Sequence, residues 1–196
     1  MTTTRDHAAR IPALGRYQIQ PGSSAVTFAT RHLFGLGPVR GTLSVESGTV
    51  DVAEPLACSR IEAVLDTASF GTGNPQRDGN VRSAAFLDTR RYPRMTFRAG
   101  GAPVPGGPVP GGPGPESSVP GSSPDEAGRL TVPGELTVRD VTRPVRLEAE
   151  FTAVTPESFT VRATTRIDRT DFGLTGARGL AGRYLSVTVE VQCARS

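Results

Sequence analysis

Apolar and polar residues alternate with a period of two along most of the chain. In GPVRGTLSVES, Val39, Leu43 and Val45 share a face with Gly41, while Arg40, Thr42, Ser44 and Glu46 take the other. The same period recurs at Val26, Phe28 and Thr30, at Ile61, Ala63 and Leu65, at Met95 and Phe97, and at Leu136 and Val138. It returns at Val145, Leu147, Ala149 and Phe151, then through Phe159, Val161, Ala163, Thr165 and Ile167, and closes with Leu185, Val187, Val189 and Val191. Strict alternation describes strands with one buried and one wetted face. The pattern predicts an all-β chain of roughly eight strands, enough for a closed antiparallel barrel holding its own core or one small ligand.

Two segments break the alternation. One is RDGNVRSAAFLDTRRYPRMTF, residues 77–97. Asn74 ahead of Pro75 is a helix start, an N-cap followed by proline at the first helical position. A short helix is expected from Pro75 to about Arg82. Ser83 is expected to cap a further turn through Ala84, Ala85, Phe86 and Leu87, so the helical segment covers 75–88. Pro93 forces Tyr92 extended, which returns Met95 and Phe97 to the sheet facing inward. The other segment is residues 100–128, whose proline, glycine and serine cannot form a packed core. It is expected to be a mobile hairpin extension inserted in a single barrel domain spanning 15–194, after a disordered leader at 1–14.

Composition narrows the picture. The 196 residues are 36% hydrophobic and 21% charged with a formal charge of +3, which suits one globular domain. The charge is interspersed and no aromatic-plus-basic motif accompanies it, so nucleic acid is not an expected partner. The N-terminus is polar without an apolar stretch, and no run is long enough to span a bilayer, so a cytoplasmic location is expected. Cys58 and Cys193 are expected to be reduced thiols, and two cysteines alone make no zinc site.

Few motifs carry chemistry. Asp171-Phe172-Gly173 matches a kinase metal-binding tripeptide, but the rest of a kinase signature is missing; it reads as a strand end with Gly173 in a turn. Gly173, Gly176, Gly179 and Gly182 are expected in a flexible loop at the barrel rim, since no helix follows to make a phosphate site. His32 reads as a rim residue or a ligand contact; no nucleophile can be argued to it. Arg77, Asp78 and Arg82 are either a polar head-group site or a salt-bridged brace on one helix face. Arg139-Asp140 reads as a hairpin turn. With no general acid–base pair emerging, no catalytic residue and no enzyme activity are expected.

These residues resemble the YceI-like family, polyisoprenoid-binding proteins of lipocalin-like fold. The resemblance covers most of residues 17–192. It begins with Tyr17, Ile19, Val26, Phe28, His32, Val39 and Gly41 and continues through ASFGTGN. Its most specific run is Arg77, Asp78, Arg82, Ser83, Phe86, Asp88, Tyr92, Pro93, Thr96 and Phe97. GELTVRDVTRPV and RTDFGL complete it. The chain departs from the family pattern at Tyr17, Asn80, Val81, Leu87 and Asp140, and the change at Asn80 weakens any head-group role there.

The resemblance implies an eight-stranded lipocalin-like barrel around a long apolar tunnel for polyprenyl chains, including isoprenoid quinones. The expected lining is Val26, Phe28, Leu43, Val45, Ile61, Leu65, Phe86, Met95, Phe97, Leu136, Val138 and Val161, with His32 beside it and Arg77, Asp78 and Arg82 at a head group. The alternation alone fits a packed core equally well. The expected role is a carrier, store or sequestering protein with an isoprenoid lipid or quinone as ligand and no other cofactor or metal. Transient contact with a membrane surface and a homodimer are further expectations. The alternative is a ligand-free scaffold that recruits a partner through the Pro/Gly-rich loop.

Overall fold

The computed structural model describes residues 11–31, 38–100, 129–176 and 182–196. The alternating runs form nine strands: β1 (Gly15–Ile19), β2 (Ala25–Arg31), β3 (Pro38–Val52), β4 (Arg60–Gly71), β5 (Arg94–Ala99), β6 (Arg129–Val138), β7 (Val141–Val154), β8 (Ser158–Asp168) and β9 (Tyr184–Arg195). All pairs are antiparallel. They run in the order β1-β3-β2-β9-β8-β7-β6-β5-β4, and β4 pairs back onto β3.

The nine strands make eight staves. β1 and β2 share one stave, interrupted by a 3-10 turn at Pro21–Ser23. Both pair with β3, through Gln18↔Thr49 and Ala25↔Ser44. Both also pair with β9, through Ile19↔Cys193 and Ala25↔Glu190. The result is the closed eight-strand antiparallel barrel that the alternation predicts. Closure leaves no free sheet edge among the described strands, the usual aggregation liability of an all-β chain.

Inward residues build two different halves. At the end carrying β1, Tyr17, Ile19, Val52, Phe159 and Cys193 pack into a dense cluster. Leu130, Ala149 and Ala163 form a smaller one beside it. At the other end Phe28, Phe70, Leu87, Met95, Val138 and Phe172 are buried. Phe28 stacks on Phe70 with ring centroids 5.0 Å apart and planes 18° from parallel. That stack needs glycine opposite: a Cβ at Gly41 would sit 2.3 Å from Phe28 Cζ and 2.6 Å from the Gly71 carbonyl oxygen.

Helix α1 (Pro75–Arg82) starts and stops where the sequence predicts. The Asn74 side chain accepts from the Arg77 amide at 3.0 Å. Ser83 closes α1: its amide and hydroxyl both donate to the Asn80 carbonyl, at 3.2 and 2.7 Å. The further turn expected after it forms over residues 84–87, with the Phe86 amide donating to the Ser83 carbonyl at 3.0 Å. Val81 is the one large apolar side chain of PQRDGNVR, too little to seat the helix by burial. Polar bonds to the end of β4 hold it instead.

The chain before β1 is also tied down from Ile11 onward. Pro12 is buried, the Tyr17 hydroxyl donates to the Ala13 carbonyl at 2.8 Å, and Arg195 donates to the Leu14 carbonyl at 3.0 Å. Residues 11–14 are thus part of the barrel, whereas the leader was expected to run to residue 14. The rest of that leader (1–10) and the Pro/Gly-rich insertion (101–128) lie outside the described residues.

Candidate functional site

The half of the barrel capped by α1 contains a cavity of about 290 Å³. Its walls are almost wholly apolar. Val26, Phe28, Leu43, Val45, Leu65, Phe86, Met95, Phe97, Leu136 and Val138, all expected as lining, do line it. β9 contributes Leu185, Val187, Val189 and Val191, which the alternation marked as inward but which were not on the expected list. Phe70, Val81, Leu87, Phe172 and Leu174 line the α1 end.

Two expected lining residues are elsewhere. Val161 packs with the dense clusters of the opposite end. Ile61 pairs with Val50 and Ala99 near that same end and is not part of the cavity wall. Both obey the inward period, but period two reports which face a residue is on and not its height along the barrel. His32 lies outside the described residues.

The three candidate head-group residues separate. Arg77 lines the cavity; its Nε donates to Thr72 Oγ1 at 2.7 Å. Asp78 and Arg82 do not line it. Asp78 is 7% exposed and turns to Thr72, accepting from its amide at 3.0 and 3.1 Å and from its hydroxyl at 2.5 Å. The Thr72 hydroxyl bond, aided by the Thr72 amide and by Arg82 and Arg77, holds the Asp78 carboxyl below its ordinary range against the opposing effect of burial. Arg82 donates to the Phe70 carbonyl, from Nε at 3.0 Å and also from Nη2. The brace is therefore not an Asp78–Arg82 pair. Each residue fastens α1 to the end of β4 separately.

A second arginine at this end was not foreseen. Arg169 follows β8 in a 3-10 turn (Arg169–Phe172) closed by Gly173 at φ 71°. It is 8% exposed and lines the cavity. It donates to the carbonyls of Gly182 and Gly176, each at 2.9 Å, and of Leu174. Burial lowers its pKa, with Asp168 opposing that effect. Arg169 thereby anchors the start and end of the β8–β9 connection over the barrel. A Cβ at Gly176 would lie 2.9 Å from the Phe86 ring, so Gly176 sits directly against the segment after α1. The signal was present in RTDFGL, but it lay in a motif, not in the alternation.

The lining also includes Thr30, Thr72 and Thr165 beside Arg77 and Arg169, but their polar atoms contribute almost none of the wall surface. The remaining walls offer dispersion contacts alone. Among the described residues, no three His, Cys, Asp or Glu side chains come together as a metal-binding group.

A family model of the YceI-like domain matches residues 17–194. The chain belongs to the YceI-like family. It is 27% identical over 157 residues to a UPF0312 protein of Vibrio parahaemolyticus, covering 77% of this chain and 72% of that protein. It is 30% identical over 128 residues to Protein YceI of Escherichia coli O157:H7, covering 64% of this chain and 55% of the relative. Among solved structures, the barrel is similar to BcnA of Burkholderia cenocepacia at a TM-score of 0.65 and 16% identity, over 89% of this chain and 98% of that one. It is also similar to a polyisoprenoid binding domain from Saccharophagus degradans implicated in plant cell wall breakdown, at a TM-score of 0.60 and 14% identity, over 94% and 100% of the two chains. At those identities the two structures share the fold.

Proposed function

We propose that the cavity binds the hydrocarbon tail of an isoprenoid lipid, such as a polyprenyl compound or an isoprenoid quinone, and that the protein acts as its carrier or store. One observation carries this reading: the cavity wall is almost wholly apolar, although Arg77, Arg169 and three threonines are among the residues that line it. Such a site suits a molecule with a long apolar body and one oxygen-bearing end. Burying the tail contributes roughly 0.8 kcal/mol per methylene before the cost of ordering it. The head group is then left at the α1 end, on the side of Arg77. Membership of the YceI-like family, and the likeness to a polyisoprenoid binding domain, support the same ligand class.

The role is binding, without turnover of the lipid. The unpaired thiols of Cys58 and Cys193 fit a reducing compartment, so the proposal includes a cytoplasmic site of action, with the ligand taken from a membrane surface. The test is organic extraction of natively purified protein followed by mass spectrometry. An isoprenoid lipid in stoichiometric amount is expected. A clean extract, together with no binding of added isoprenoid quinone, would sink the proposal.

A further inference from the structure

The resemblance to the family leads one to expect a long tunnel, but the cavity does not run through the barrel. Below its deepest lining residues, Val26, Val45 and Val191, the interior is filled by the cluster that holds Tyr17 and Phe159. Phe159 stands edge-on to Tyr17, with centroids 4.9 Å apart and planes at 69°. Phe151 stands edge-on to Phe159 at 5.7 Å and 84°. Tyr17 and Cys193 have no exposed surface, and Phe159 is 3% exposed. The Tyr17 hydroxyl is fixed to the Ala13 carbonyl. Interlocked edge-to-face rings of this kind leave no room for a chain to pass.

We infer that the cavity is a blind cup whose aromatic floor limits the ligand to a tail of about three isoprene units. The depth follows from the strands. On β9 the lining runs from Leu185 to Val191, which spans about 20 Å at ~3.3 Å per residue. A strand tilt of about 40° reduces that to roughly 15 Å along the barrel axis. An isoprene unit advances about 5 Å, four carbon–carbon bonds of ~1.5 Å in zigzag. The volume of about 290 Å³ agrees, lying near the lower end of the ~300–1,000 Å³ range of ligand pockets. Val191, at the deepest level of the wall, and Phe159 beneath it are the specificity-determining residues. A longer tail has to leave its remaining units outside the α1 end, where they gain no burial.

This inference rests on the isoprenoid-binding reading above. The test is a titration series of isoprenoid quinones sharing one head group, with tails of one, two, three, four and eight isoprene units. Affinity is expected to rise by at least about tenfold per unit up to the third, then to stay level or fall. Val191→Phe, which raises the floor, is expected to move the plateau down by one unit. Phe159→Leu, which lowers it, is expected to move the plateau up. A wild-type affinity that keeps climbing to eight units overturns the length limit while leaving isoprenoid binding intact. A series in which no tail length binds overturns both. The wild-type series decides the matter even if neither variant folds.

Discussion

The Thr72 hydroxyl donates to Asp78 Oδ1 at 2.5 Å and the Thr72 amide reaches both carboxylate oxygens. Together with Arg77 on Thr72 and Arg82 on the Phe70 carbonyl, this residue pair fastens a helix with almost no apolar face to the chain where β4 ends. The carboxylate is worth more to the folded state than its proton. Its folded pKa lies below the unfolded value of about 3.9. The stabilisation is therefore fully present above that value and is lost as pH falls through the folded pKa. Asp78→Asn is expected to lower the denaturation midpoint at neutral pH and to flatten the loss of stability below about pH 4. Urea titrations of both proteins between pH 3 and 7 check this. Parallel acid limbs would show that Asp78 carries no such role.

The barrel was legible in the sequence because alternation is a local property. Val161, Ala163, Thr165 and Ile167 declare their face within a few residues, and closure of eight such staves follows from burying that face. What alternation cannot encode is height along the axis. Val138 and Val161 look alike in sequence, yet one lines the cavity and the other packs near its floor. Whether the interior is filled or hollow was open for that reason, and the molecule holds both, a packed cluster in one half and an apolar cavity in the other. Arg169 was missed because its role depends on carbonyls 5 to 13 residues downstream, a loop geometry with no period to read. Asp78 and Arg82 sit four apart on one helix, which suggested a mutual ion pair. The nearby end of β4 offers each a better partner.

Phe28 and Gly41 face each other across the β2–β3 pair, and the ring occupies the space a side chain would need. Gly41→Val is expected to destabilise the protein by about 3 kcal/mol, at the upper end of ordinary overpacking, measured by urea denaturation. Adding Phe28→Ala to that variant should recover part of the loss, giving a coupling of roughly 1 kcal/mol or more. Recovery stays partial because the Gly71 carbonyl oxygen, 2.6 Å from the added Cβ, is backbone and cannot move aside. Strictly additive effects would mean that the ring is not what excludes a side chain at 41.

Arg169 satisfies three carbonyls of the β8–β9 connection from inside the barrel. Arg169→Leu leaves them without their donor and is expected to cost about 3 kcal/mol, at roughly 1 kcal/mol per bond. Arg169→Lys keeps the charge but loses the planar fork, so it should recover little. Hydrogen exchange distinguishes a local from a general effect. Faster exchange is expected at Leu174 and Gly173, whose amides close the adjacent turn, with β4–β6 unchanged. A lysine variant as stable as the wild type would show that charge alone, without the fork, holds the connection.

Cys58 and Cys193 should behave as opposites toward a thiol reagent. Cys58 is exposed in the short 3-10 turn Leu56–Cys58. Cys193 has no exposed surface, and burial pushes its thiol up to about 12. The thiolate is the reactive form, so at pH 8 Cys193 is protected twice, by lack of access and by lack of ionisation. Titration of the native protein with a disulfide reagent is expected to release one equivalent quickly. The second should appear only at the rate of unfolding, or at once in denaturant. Cys193→Ser is expected to destabilise by about 1–3 kcal/mol, since a hydroxyl among Tyr17, Ile19 and Phe159 has lost water without gaining an apolar partner. Fast native reaction of both thiols would mean that the packed end of the barrel opens readily, and would remove the rigid floor on which a length limit depends.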